Sequence, residues 1–69
     1  MRWTSEQVRV MRRHVGMTQQ AFSEALGVSM GMVYRWEADK SRPGPAWSRL
    51  LSDTFGRPLD QRRDDGVAA

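Results

Sequence analysis

The side chains of this 69-residue chain that could do chemistry are mostly cations: 11 lysines and arginines stand against 8 aspartates and glutamates, with one histidine and no cysteine. Without cysteine there is no disulfide framework, thiolate zinc site or sulfur nucleophile. His14 alone assembles neither a metal cluster nor a general-base network, since each needs several placed partners. An enzyme is therefore not expected, nor a metal or cofactor, and no residue is given a catalytic role. What the cations can do is hold an anion. The formal charge of +3 and the isoelectric point near 10.6 favour a polyanionic partner, although a merely soluble small protein also fits. Distribution says more: Arg57, Arg62 and Arg63 cancel Asp60, Asp64 and Asp65, so the whole excess lies before Arg57.

Those cations need elements to position them. A chain of this length makes one domain at most, with a modest core. Trp3 and Thr4 precede Val8, Met11 and Val15 at helical spacing. Thr4 with Gln7 matches a capping box, and Trp3 with Val8 a hydrophobic staple, so a first helix is expected from about Ser5 to about His14. Gly16 follows as a left-handed cap, and Thr18 offers its hydroxyl to a second helix carrying Ala21, Phe22, Ala25 and Leu26 on one face. Gly27 ends that helix and Ser29 caps a third, whose inward face draws on Val28, Val33 and Trp36. Ala38 to Gly44 reads as a loop, and Pro45 opens a fourth helix with Trp47, Leu50, Leu51 and Phe55 toward the core. Gly56 and Pro58 stop it. No strand-like alternation occurs, so the fold class is all-α. Residues 1–56 are expected to form the domain, and residues 57–69 a short, mostly disordered tail.

The segment Thr18 to Glu37 carries a specific pattern. Counted from Gln19, a helix-turn-helix wants apolar residues at the fourth, eighth, tenth, fifteenth and eighteenth places, a small residue at the fifth and glycine at the ninth. Phe22, Leu26, Val28, Val33, Trp36, Ser23 and Gly27 stand there. The apolar side chains wedge the two helices apart, Ser23 permits their close approach, and Gly27 supplies a positive φ at the turn. Around it, Gly16-Met17-Thr18-Gln19-Gln20, Ala25-Leu26-Gly27-Val28-Ser29, Trp36-Glu37 and Pro43-Gly44-Pro45-Ala46 resemble the XRE family, the repressor-like domains of phage Cro and cI proteins. The resemblance runs from about Val8 to Phe55. It implies a four- or five-helix, lambda-repressor-like DNA-binding domain whose third helix enters the major groove, commonly as a dimer on a palindromic operator.

Carried onto this chain, the resemblance marks Met30, Gly31, Tyr34 and Arg35 as base-facing positions, with Met32 beside them. Of these, Arg35 has the forked donors that pair with guanine O6 and N7, while Met30 suits a thymine methyl. Gly31 would let the backbone come close to the bases. Family members often carry polar residues here, so the apolar character is a departure. Gln19, with Thr18 beside it as cap or contact, matches a phosphate-touching position at a helix N-terminus. Lys40, Ser41 and Arg42 occupy the loop where relatives grip the backbone. Arg12 and Glu37 match a structural ion pair that ties the first helix to the end of the third. Trp3, Trp36 and Trp47 are read as core rather than as stacking platforms.

The expected function is a sequence-specific, double-stranded DNA-binding transcriptional regulator, a repressor or autoregulator, acting as a homodimer. The exposed parts of Trp47, Phe55 and Leu59 are candidates for its dimer surface. An antitoxin-like or adaptor module is the alternative, gripping a protein partner through Met30, Met32 and Tyr34. With no signal-peptide pattern and no bilayer-length apolar run, no membrane role is expected and the cytoplasm is the expected location. The tail is too short for a ligand-sensing domain, so no small-molecule effector is expected.

Overall fold

The computed structural model describes residues 2–61; Arg62 to Ala69 of the expected tail lie outside the described residues. Four α-helices follow one another, α1 (Ser5–His14), α2 (Gln19–Leu26), α3 (Met30–Glu37) and α4 (Pro45–Phe55), and a 3-10 turn closes the series at Leu59–Gln61. Among the described residues there is no strand, and the fold class is all-α.

The first three helices begin on a hydroxyl that satisfies a free amide, and the fourth begins on a proline. The Thr4 hydroxyl accepts from the Gln7 amide while the Gln7 side chain accepts from the Thr4 amide, a complete capping box. Thr18 accepts from Ala21 N–H and Ser29 from Met32 N–H, both at 3.1 Å. Pro45 takes the first position of α4, where its missing N–H has no partner to lose.

One device ends α1, α2 and α3. A residue in the left-handed region follows the helix, its amide bonds to the carbonyl three residues back, and the next amide bonds to the carbonyl one residue before that. Gly16 and Gly27 do this with φ of +70° and +77°, Val28 N–H reaching Ser23 O at 3.0 Å. At the end of α3 the same geometry is built on Asp39, with φ of +61°: Asp39 N–H donates to Trp36 O and Lys40 N–H to Arg35 O at 3.0 Å. Because that cap is not glycine, the sequence pattern alone does not expose it.

The core comprises Trp3, Val8, Met11, Phe22, Leu26, Val33, Trp36 and Leu51, with Met17, Val28, Met32, Leu50, Phe55 and Leu59 packed around it. Trp3 is wholly buried, and the segment before α1 is pinned to α4 by two hydroxyls. Trp3 N–H donates to Ser48 Oγ at 2.9 Å, and the indole Nε1–H to Ser52 Oγ at 3.1 Å. Ser48 then donates to Pro43 O, so this buried polar group is fully used. Phe22 and Phe55 stack with centroids 4.4 Å apart, joining α2 to α4.

Four expectations change. Trp47 packs obliquely on Trp36, with centroids 6.2 Å apart, yet remains 38% exposed, so it borders the core rather than filling it. Ala25 is exposed, because the buried arc of α2 is centred on Leu26 between Phe22 and Ser23. Val15 lies beyond the last residue of α1 and is also exposed. Structure also continues past Gly56: Pro58 is buried, Leu59 packs on the core, and the Gln7 amide donates to both Asp60 oxygens at 3.1 and 3.2 Å. Two apolar residues in a row are too short a signal to show as periodicity.

Candidate nucleic-acid interface

α2 and α3 contact each other more than any other pair of elements, and a three-residue turn, Gly27 to Ser29, joins them. Ser23 is buried at their contact, its hydroxyl donating to Gln20 O at 2.7 Å, which removes the penalty of burying it. The wedge residues Phe22, Leu26 and Val33 are buried, as is Trp36. At 3.6 residues per turn, Met30, Gly31, Tyr34 and Arg35, with Ala38 just past the helix end, fall within an arc of roughly 140°; Val33 and Trp36 face the other way, and the buried Glu37 lies just inside the Met30 edge. Met30 is 47% and Tyr34 53% exposed. Met32 leans inward against the core.

The angle of α3 is fixed by a polar knot. Arg12 Nε donates to Glu37 Oε2 at 2.6 Å and Nη2 to Oε1 at 3.1 Å, a two-pronged ion pair. Arg12 Nη1 also donates to Met17 O at 3.1 Å, and Gln19 Nε2 to Glu37 Oε1 at 3.3 Å. Arg9 Nη1 reaches the Glu37 carbonyl at 2.9 Å. The end of α3 is thereby held to α1, to the turn after it and to the first residue of α2. The hydrogen bond to Glu37 raises the Arg12 pKa above its ordinary value; burial opposes this and the attraction between the charges adds to it. Stability from a raised arginine pKa is present below the ordinary value and lost only as pH climbs past it, so the pair holds through the neutral range.

The expected contact residues lie in two groups. Arg35, Lys40 and Ser41 are drawn together by the backbone, since the Lys40 and Ser41 amides both donate to Arg35 O, at 3.0 and 3.4 Å. Arg42 follows them in the same loop and also borders a shallow groove with Arg9, Glu6 and Asp39. Arg35, Lys40 and Arg42 are exposed and have no ion-pair partner among the described residues. Thr18 and Gln19 stand at the start of α2, Thr18 exposed and used as cap, Gln19 half-buried with its amide turned to Glu37. The links from Arg9 and Gln19 to Glu37 escape the sequence pattern, because they join residues 28 and 18 positions apart. Ser5 Oγ, donating to Asp39 Oδ1 at 2.9 Å, escapes it for the same reason.

No helix among the described residues is long and apolar enough to cross a membrane. No curated protein and no solved structure matches the chain. The sequence model of a helix-turn-helix family does match, over residues 8–61, taking in all four helices and the closing 3-10 turn except the start of α1. With the α2–α3 unit, the ion pair that ties α3 to α1 and the exposed cations beside it, that match places the chain in the XRE family of helix-turn-helix proteins, as a lambda-repressor-like, DNA-binding transcriptional regulator.

Proposed function

We propose that the protein is a sequence-specific repressor or autoregulator that occupies a palindromic operator as a homodimer. The observation that carries this is the outward arc of α3, which holds Met30, Gly31, Tyr34 and Arg35, has no acidic side chain and is bordered by the uncommitted Lys40. In this reading α3 lies in the major groove and Arg35 pairs with guanine. Lys40, Ser41 and Arg42 grip phosphates on one side, and Thr18 and Gln19 approach them from the N-terminus of α2. Gln19 can donate to a phosphate with its amide while Glu37 keeps it oriented, which pre-sets the contact.

A single small domain buries too little DNA for tight specific binding, so pairing of two copies is part of the proposal. Trp47 on α4 is the strongest candidate for that contact, because Phe55 is already stacked on Phe22 and Leu59 packed on the core. Selection of bound duplexes from a random pool tests the whole scheme. It is expected to return inverted half-sites with centres about 34 Å apart, one helical turn. A lone asymmetric site would contradict the dimer, and enrichment of no sequence would contradict specific recognition.

A further inference from the structure

We infer that the first two turns of α3 read thymine methyl groups by apolar contact, with Gly31 as the clearance that lets them reach the bases; this rests on the DNA-binding reading above. The helix residues nearest the base edges in such a docking are the N-terminal ones, here Met30 and Gly31, followed by Tyr34 one turn on. None of the three is an amide, a guanidinium or a carboxylate. Base readout by paired hydrogen bonds is therefore confined to Arg35 at one edge of the arc.

The edge of a thymine presents a C5-methyl group to the major groove, which cytosine lacks. Met30 is 47% exposed on a flexible, polarizable thioether, and the Tyr34 ring, 53% exposed, lies on the same side four residues later. Burying a methyl against these side chains is favourable. Burying the amino group of cytosine or the N7 of a purine there leaves it without a partner, which is not. Apolar contact thus discriminates twice, by attraction to thymine and by penalty against the others.

Gly31 supplies the second observation. A Cβ built on it would meet only Ser29 Oγ, at 3.9 Å, which is ordinary contact, and its φ is not in the left-handed region. Nothing inside the protein requires glycine at this helical position, where alanine is the better helix former. The clearance therefore faces outward. It lies in the first turn of the arc, with Tyr34 on one side of it and Arg35 on the other, so the crest of α3 is bare of side chain at this point. Such a crest allows the backbone to approach the base edges, and the bordering cations match the charge of a phosphate surface rather than of an apolar protein partner.

The test takes the tightest duplex returned by selection and replaces its thymines one at a time with deoxyuridine, which pairs identically and lacks only the methyl group. Loss of affinity of about fourfold is expected at each thymine facing Met30 or Tyr34, and none at flanking positions. In parallel, Gly31→Ala is expected to raise Tm by about 2–6 °C and to weaken that duplex at least about tenfold, with the salt slope unchanged. Indifference to deoxyuridine at every position, with sequence preference intact, overturns the methyl reading while leaving DNA recognition standing. Equal binding by Gly31→Ala overturns the clearance role. No preference among duplexes at all overturns both this inference and the function on which it rests.

Discussion

At the scale of residues, the cations of this protein divide by what they already hold. Arg12 has all its reach committed to Glu37 and Met17, whereas Arg35, Lys40 and Arg42 extend into solvent without an ion-pair partner among the described residues. Arg35→Ala is expected to relax discrimination at one base-pair position by about 1–3 kcal/mol, because it removes the bidentate guanine contact proposed above. Arg42→Ala is expected to weaken all sequences alike and to reduce the salt slope by roughly one contact. Titrations of both variants on specific and random duplexes separate the two roles. Equal losses on both kinds of DNA would show that Arg35 holds a phosphate instead.

At the scale of elements, the helix boundaries follow from caps and turns that are mostly written in residue type. Thr4, Thr18, Ser29, Pro45, Gly16 and Gly27 all stand where the sequence marks a start or a stop. Gly27→Ala is expected to cost about 1 kcal/mol from backbone strain alone, since its Cβ would meet no atom within 4 Å. Chemical denaturation should show a lower midpoint at unchanged slope. Arg12→Ala strands the Glu37 carboxylate in a buried site and is expected to cost about 2–4 kcal/mol, while replacing both residues with methionine recovers most of it. If the single variant is as stable as the parent, the knot is not what holds α3. Less of the element scale is legible where a rule is met by an unusual residue or by distant partners. Asp39 ends α3 in the conformation usually given to glycine, and the Ser48 and Ser52 hydroxyls that anchor Trp3 lie 45 and 49 positions away. Local periodicity carries no information about either. The same limit explains Trp47, whose apolar type fits a core position while its ring lies tilted against Trp36 and stays part-exposed.

At the scale of the whole molecule, a small domain with a core of few large side chains depends heavily on each of them. Trp3→Ala removes a wholly buried indole and is expected to lower Tm by roughly 15 °C or more, which calorimetry would read directly. The overall architecture was legible because helical spacing, caps and the seven-position wedge all agree. The outer surface of α3 is less so, because solvent-exposed residues such as Met30 and Gly31 are not constrained by core packing. In the proposed function, the charge excess before Arg57 and the uncommitted cations beside α3 make affinity depend on phosphate contacts. The most direct test is titration of the protein against its selected palindrome and a scrambled duplex over a range of salt. For two copies each engaging two cations, log K against log salt should fall with a slope of roughly −4 on the palindrome, which should bind at least about a thousandfold more tightly than the scramble. Salt-insensitive binding, or equal affinity for the two duplexes, would contradict the account.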